Sequence, residues 1–412
     1  MQEILEIANK IKQKGGTLYL VGGAVRDILL NRVVKEEDYC VTGISKVEFE
    51  ELFPQARLRG KSFPVYELEG REFALARTET KSGIGHKEFE IYTGKEITIE
   101  QDLARRDITI NAIAQNILTN EIIDPFKGRE DIKKRMIRKV GESFKEDPLR
   151  VYRVARFAAT LEFEVEPETI QEMKKLKQEL GTLSKERIEV EFRKALQSNK
   201  PARFFETLRK AELLQIHFKE IGDLIGKIQP EQYHPEGDSY QHTMIALDAT
   251  TSLTDKLEIR FSCLVHDLGK GTTPMEILPH HYGHEERGEK LVSVLGNRIG
   301  VPKKWIKCGK IAAKEHMKAG RFEQLTPKKQ VDLIEKLSKS ELGLEGMKIV
   351  VMCDKYRNGV YPQNIEFDQI GKECLAQITG KKIKEKYQLE EGKRIKEKLH
   401  EERINWIKKY KE

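Results

Sequence analysis

Charged and aliphatic positions alternate through the first residues, MQEILEIANKIKQKGG, with the spacing of an amphipathic helix. From residue 17 to about residue 125 the runs shorten. TLYLVGG, PVYELEG, EFALART and EFEIYTG are brief β-rich stretches closed by glycine or charged turns, which predicts strands. EITIEQDLARRDITINAIAQNI then recovers a helical period and predicts one helix. Beyond about Asp131 strand signals nearly vanish. DPLRVYRVARFAATLEF, PETIQEMKKLKQEL, SKERIEVEFRKALQS and KPARFFETLRKAELLQIHF predict successive helices, several opened by Asp, Pro or Ser. From about Tyr233 to Asp354 the chain stays helical, and the rest is charged helix. The expected joints are near Gly141, Gln229–Gly237 and Asn358–Gln363. The predicted fold class is α+β, a mixed α/β amino-terminal part followed by helices, divided at 1–137, 138–228, 229–355 and 356–412.

Composition narrows the function classes. A chain of 412 residues, 38% apolar and 34% charged, is long enough for several buried cores and too apolar for disorder. It contains no apolar run of the roughly 18 residues that a membrane helix needs. The amino terminus lacks the apolar segment of a secretory signal, so a cytoplasmic location without membrane partners is expected. Cys40, Cys263, Cys308, Cys353 and Cys374 are scattered without a CxxC pair, which argues against a disulfide framework and against a thiolate zinc site. The net charge is +7, and Gly380–Glu412 alone carries +5. A basic end suits a phosphate-rich partner, but a solvated helix is the commoner explanation of a mixed-charge run, so the tail alone decides nothing.

Three clusters carry candidate chemistry in the first half. LYLVGGAVRDILL passes from a β-run through Gly22-Gly23 into a helix, a natural cradle for phosphates, with Arg26 in the first turn. Downstream, Glu36 and Asp38 are expected on one face of a strand, where two adjacent carboxylates call for a cation such as Mg²⁺. In RRDITINA, Arg106 precedes Asp107 and Asn111, four apart and expected on one helix face. In EDPLRVYR, Glu146, Asp147, Arg150 and Arg153 sit at a helix start. There a guanidinium and a carboxylate form either a surface stripe or a reader of a base edge.

Seven of the ten histidines fall within residues 234–316. SCLVHDLGKG places His266-Asp267 at the end of an apolar helix, with Gly269 and Gly271 allowing a sharp exit. Adjacent His and Asp can ligate one metal. His242 before them and a later Asp would complete a set of nitrogen and oxygen donors.

In this order the motifs resemble a bacterial class II CCA-adding tRNA nucleotidyltransferase of the polymerase-β-like superfamily, in the form with a C-terminal HD phosphohydrolase domain. LVGGAVRD, FALARTE with KSG, RRDITINA, IIDPFKG and EDPLRVYRVARFAA match in family order, and the HD region follows. The resemblance implies a nucleotidyltransferase head, a helical neck, an HD body and a basic helical tail that hold the tRNA acceptor arm, in a monomer or homodimer. It implies Gly23 and Arg26 for the triphosphate of CTP or ATP, and Glu36 and Asp38 as Mg²⁺ ligands and catalytic residues. It places Arg106, Asp107 and Asn111 around the nucleotide sugar and phosphates, and makes Glu146, Asp147, Arg150 and Arg153 the protein template that selects the base. In the HD body it implies His242, His266, Asp267 and Asp354 around a transition metal such as Ni²⁺ or Mn²⁺, with His281 or His284 as a further metal or phosphate contact. Such domains carry 2′,3′-cyclic phosphodiesterase, 2′-nucleotidase and phosphatase activities.

One departure stands out. The family has aspartate where this chain has Glu36, so the expectation is that the local backbone accommodates the longer side chain, since every other motif is intact; help from Glu37 or Glu72 and a slow head are the alternatives. Poly(A) polymerase, an adder of CC or A alone, and a phosphohydrolase whose head only grips tRNA are the alternative readings. A non-catalytic tRNA-binding protein would require both sites to be dead.

Overall fold

The computed structural model describes residues 2–59, 65–81, 89–232 and 237–410. His234 and the end of the KSG match lie outside them. The chain gathers into two compact units, Met1–Arg187 with Glu206–Leu213, and Ile188–Phe205 with Leu214–Glu412.

The first unit is built on a seven-stranded sheet. Its strands are β1 (Thr17–Val21), β2 (Asp38–Thr42), β3 (Arg57–Arg59), β4 (Val65–Leu68) and β5 (Arg71–Leu75). After the hairpin of β6 (Arg77–Lys81) and β7 (Phe89–Thr93), the sheet is completed by β8 (Ala114–Asn116) and β9 (Ile122–Ile123). The order is β3-β4-β5-β2-β1-β8-β9, antiparallel except where β2 pairs with β5. Alternation in the strands is genuine: Leu18, Leu20 and Val21 are buried, as are Phe73 and Leu75. The amino-terminal helix Gln2–Gln13 buries Ile4, Ile7, Ala8 and Ile11, the stripe its spacing predicts.

The helix expected through RRDITINA stops early. It spans Ile99–Ala104, opened by a Thr98–Gln101 capping box. Ile108 is extended, Thr109–Asn111 forms one tight turn, and the chain continues into β8. Three consecutive β-branched residues, Ile108-Thr109-Ile110, disfavour the helix, and burying all three against the unit's core outweighs the local period. The helix Leu149–Leu161 opens after Asp147-Pro148 as expected.

In the second unit the helices pack around two apolar groups. Phe192, Phe204, Phe205 and Phe218 meet with ring centroids 5.3–6.2 Å apart. A larger core contains Val331, Ile334, Leu337, Met347, Val350 and Val351, and the last helix, Gly392–Tyr410, adds Ile407. No described helix is long and apolar enough to cross a membrane.

Candidate active sites

In the head, Asp38 is the first residue of β2. Its neighbours in register are Val21, which ends β1 beside the glycine pair, and Glu72 on β5. Residues in register on adjacent strands share a face. Asp38 and Glu72 accordingly line one cavity of about 200 Å³ together with Arg77, Asp102, Arg105 and Arg106. Partial withdrawal from water raises the Asp38 carboxyl above its usual range; Arg106 opposes the rise and Glu36 adds to it.

Glu36 does not lie on the strand. Residues 32–37 have no regular structure and Glu36 is exposed, so strand alternation does not set its direction. β2 begins only where pairing with Val21 begins. Of the other acids, Glu37 is engaged elsewhere. It accepts from Tyr39 Oη at 2.8 Å and pairs with Arg71 at 3.3 Å. Glu72 is the carboxylate held next to Asp38 by the sheet itself.

The turn above these acids depends on Gly22 more than on Gly23. Gly22 has φ 71°, and a Cβ there would come within 2.7 Å of Arg106 Nη1. At Gly23 the nearest atom to an added Cβ would be an ordinary 3.5 Å away. Arg106 is aimed at this turn by Asp102, an acid the sequence reading did not single out. Asp102 is 1% exposed and pairs with Arg105 at 2.7 Å and Arg106 at 3.2 Å. Burial works to raise its carboxyl, but the two arginines hold it below the usual range. The available signal was its spacing, three and four residues before two arginines at a helix end.

The predicted nucleotide-contacting residues do converge. Arg26 is buried, donates to Asn111 Oδ1 at 2.7 Å and to Asp27 Oδ1 at 2.9 Å, and lies over the Phe157 ring. Asn111 reaches Asp107 at 3.4 Å across the turn that replaces the expected helix. Asp107 pairs with Arg153 at 2.6 Å and also accepts from the Ile108 N–H. Burial opposes its ionisation, yet Arg153 and then Arg150 hold it at a pKa of about 2. Arg150 donates to the carbonyls of Ser143 and Arg105. Asp147 accepts from the Leu149 N–H and pairs with Arg187 at 2.7 Å. Half-buried Glu146 precedes it.

The second unit holds a histidine cluster. His242 lies on the helix Ser239–Ala249, His266-Asp267 follow Leu257–Val265, and Asp354 ends Gly343–Asp354. Their ligand atoms lie within 4.8 Å of one another. All four expected residues therefore meet: His242 Nε2 is 3.1 Å from Asp354 Oδ1, and His266 Nε2 is 3.3 Å from Asp267 Oδ2. The other oxygen of Asp267 faces His284 Nε2 and His316 Nε2, each at 3.4 Å, forming a second group. His316, on Lys303–Gly320, was not selected from sequence; its signal was a histidine on the helix face that buries Cys308, Ala312 and Glu315. Of the alternatives His281 and His284, only His284 joins. Both ring nitrogens of His281 are used by Thr273 Oγ1 and the Ile228 carbonyl.

The cluster suits cations. Nδ1 of His266, His284 and His316 each donates to a backbone carbonyl, of Cys263, of His281 and of Ala312 with Ala313. That fixes the tautomer and leaves each Nε2 lone pair pointing inward. These three Nε2 atoms and Asp267 Oδ1 are buried without a hydrogen-bond partner. Orphaned buried acceptors of this kind are costly unless an ion fills them. Burial opposes a charge on His266, yet the carboxylates of Asp267 and Asp354 raise its pKa to about 10, so the pocket favours positive charge. Mixed imidazole and carboxylate donors favour transition metals. Lys270 Nζ, 2.5 Å from Asp267 Oδ2, supplies one further positive charge. Gly269 permits the close approach, since a Cβ there would collide with the His284 carbonyl.

Comparison with known proteins identifies the segments that carry these clusters. Residues 18–138 match the poly A polymerase head domain, 162–224 the probable RNA and SrmB-binding site of polymerase A, and 239–346 the HD domain. The chain is 39% identical over 407 residues to the multifunctional CCA protein of Nitrosococcus oceani, covering 94% of this chain and 99% of that protein. It is similar to the crystal structure of the Bacillus stearothermophilus CCA-adding enzyme in complex with CTP, with 25% identity, a TM-score of 0.63, and coverage of 98% and 91%. A CCA-adding enzyme in complex with ATP shares the fold at a TM-score of 0.65 and 18% identity, over 98% and 89% of the two chains.

Proposed function

The chain belongs to the family of CCA-adding tRNA nucleotidyltransferases, and from that membership we propose that it adds C, C and A to tRNA 3′ ends using CTP and ATP. The observation that carries this reading is the meeting of Asp38, Glu72 and Arg106 in one cavity beneath the Gly22 turn. In the reaction the tRNA 3′-hydroxyl attacks the α-phosphate and pyrophosphate leaves. Asp38 with Glu36 and Glu72 forms an all-oxygen set of the kind Mg²⁺ prefers. Bound there, such ions supply the positive charge that activates the hydroxyl and neutralises the leaving group. Gly23, Arg26 and Arg106 take the triphosphate, with Arg106 held in place by Asp102. Asp107 and Asn111 bound the sugar. Glu146, Asp147, Arg150 and Arg153 read the base, which requires Asp147 to release Arg187, and Arg150 a carbonyl, as the nucleotide enters. The division into a head over 1–137, a neck over 138–228, an HD body over 229–355 and a tail over 356–412 belongs to the same proposal, with the acceptor arm as the macromolecular partner.

The HD body is a second enzyme in this reading, hydrolysing 2′,3′-cyclic and 2′-phosphates with Ni²⁺ or Mn²⁺. Its support is the inward-facing Nε2 atoms around Asp267. When bound there, such a metal supplies a water of lowered pKa. His242, His266 and Asp354 surround one carboxylate oxygen, His284 and His316 the other, and Lys270 offers charge to a phosphoryl oxygen beside them.

The test is incubation with tRNA lacking CCA, Mg²⁺, and CTP and ATP singly and together. Two cytidines from CTP and a terminal adenosine once both are present are expected. Repeated adenylation from ATP alone, or arrest at CC with both nucleotides, would replace this reading with a poly(A) polymerase or a partial adder.

A further inference from the structure

Tyr282 is 72% exposed, although an aromatic ring gains more from burial than most side chains. The ring of exposed His280 lies 5.5 Å away at an interplanar angle of 20°. Both project from the loop that ends at His284, the first residue of the helix His284–Ile299. That loop is pinned on every side. His281 ties it to Thr273 and to Ile228, and the His281 carbonyl accepts from His284 Nδ1 at 2.8 Å. Arg287 donates to the Tyr282 carbonyl at 2.6 Å and to the hydroxyls of Thr272 and Thr273. The segment that orients an inward-facing imidazole thus also presents a braced aromatic face to solvent two residues away. One face of Tyr282 is backed by His280, and the high exposure leaves the other open.

We propose that Tyr282, backed by His280, is a stacking platform for the nucleobase of the substrate hydrolysed at the histidine cluster. This rests on the phosphohydrolase reading and names its substrate class: nucleotides, or RNA ends, carrying a 2′- or 2′,3′-cyclic phosphate. A planar ring without converging hydrogen-bond groups accepts any base by its π-face, so base identity matters little. In the hydrolysis, water adds to phosphorus, one P–O bond breaks, and the departing sugar oxygen takes a proton. A ring already held by its neighbour loses little freedom when a base lands on it.

The full-length, metal-loaded protein and its Tyr282→Ala and Tyr282→Phe variants provide the test. Calorimetric titration with adenosine 2′-monophosphate should show binding about 5- to 100-fold weaker for Tyr282→Ala and nearly unchanged for Tyr282→Phe. KM for adenosine 2′,3′-cyclic phosphate, and for a short RNA with the same terminus, should rise in parallel while kcat holds. Hydrolysis of β-glycerophosphate, which has no base, should change less than about twofold. Wild-type binding in Tyr282→Ala, or an equal loss on β-glycerophosphate, overturns the platform. A wild-type protein that hydrolyses β-glycerophosphate but neither nucleotide overturns it while the phosphohydrolase stands. Absence of all hydrolysis with Ni²⁺ or Mn²⁺ removes both.

Discussion

Asp38 and Asp107 show how the same side chain takes opposite electrostatic roles a few strands apart. Asp38 is raised by partial withdrawal from water and by the like charge of Glu36, so it is poised to gain from a cation. Asp38→Asn should lower kcat/KM for CTP by at least about a hundredfold with tRNA binding retained, measured by primer extension and filter binding. Between the candidate second ligands, Glu36→Gln and Glu72→Gln separate the possibilities. Both should raise the Mg²⁺ concentration needed for half-maximal rate. A normal Mg²⁺ dependence in Glu36→Gln would leave Asp38 and Glu72 as the pair. Asp107 instead is already satisfied by arginine, with a folded pKa of about 2. A depressed folded pKa stabilises above the unfolded value near 3.9, and this contribution is lost as pH falls through about 2. It amounts to roughly 2–3 kcal/mol at neutral pH. Asp107→Asn should therefore unfold at lower urea than the wild type at pH 7, with the difference shrinking between about pH 4 and pH 2. A difference independent of pH would deny the ion pair that role.

At the scale of elements, close approaches matter more than propensities. The turn Leu268–Thr272 reaches the helix His284–Ile299 only because residue 269 lacks a side chain. Gly269→Ala should push Asp267 away from His284 and lower metal occupancy and phosphohydrolase rate on the order of tenfold or more, checked by metal analysis of the purified variant. Local pattern made the strands, the amino-terminal helix and the helix after Asp147-Pro148 legible, because each obeys its own hydrophobic period. It failed at RRDITINA, where a helical period persists through residues whose β-branches and burial favour a turn. It failed at Glu36 because strand alternation was extended two residues past the point where pairing begins. His316 was missed because its importance comes from Asp267, a partner brought by tertiary contact that spacing does not encode, whereas Asp102 was legible in its i+3 and i+4 spacing to Arg105 and Arg106.

For the whole molecule, the sequence revealed two chemistries, since each depends on motifs that are contiguous or nearly so. The two compact units are less legible, because residues 206–213 return to the first unit after 188–205 have joined the second, and contacts rather than composition decide that. The head residues and the histidine cluster belong to different units. His266→Ala should thus abolish metal-dependent phosphohydrolase activity and leave CCA addition within about twofold, assayed on one preparation. Parallel loss of both activities in a folded variant would join what is here described as two sites.

Asp267 gives one oxygen to each half of its cluster. In genetic terms it masks every other ligand: once it is changed, altering His242 or His284 as well should make no further difference. Pairwise variants on the same side, His284 with His316, should be scarcely worse than either alone. A pair taken from opposite sides, His242 with His284, reports whether the halves are used in concert or in turn. The epistasis pattern of this one carboxylate therefore counts the ions in use without requiring that any be seen.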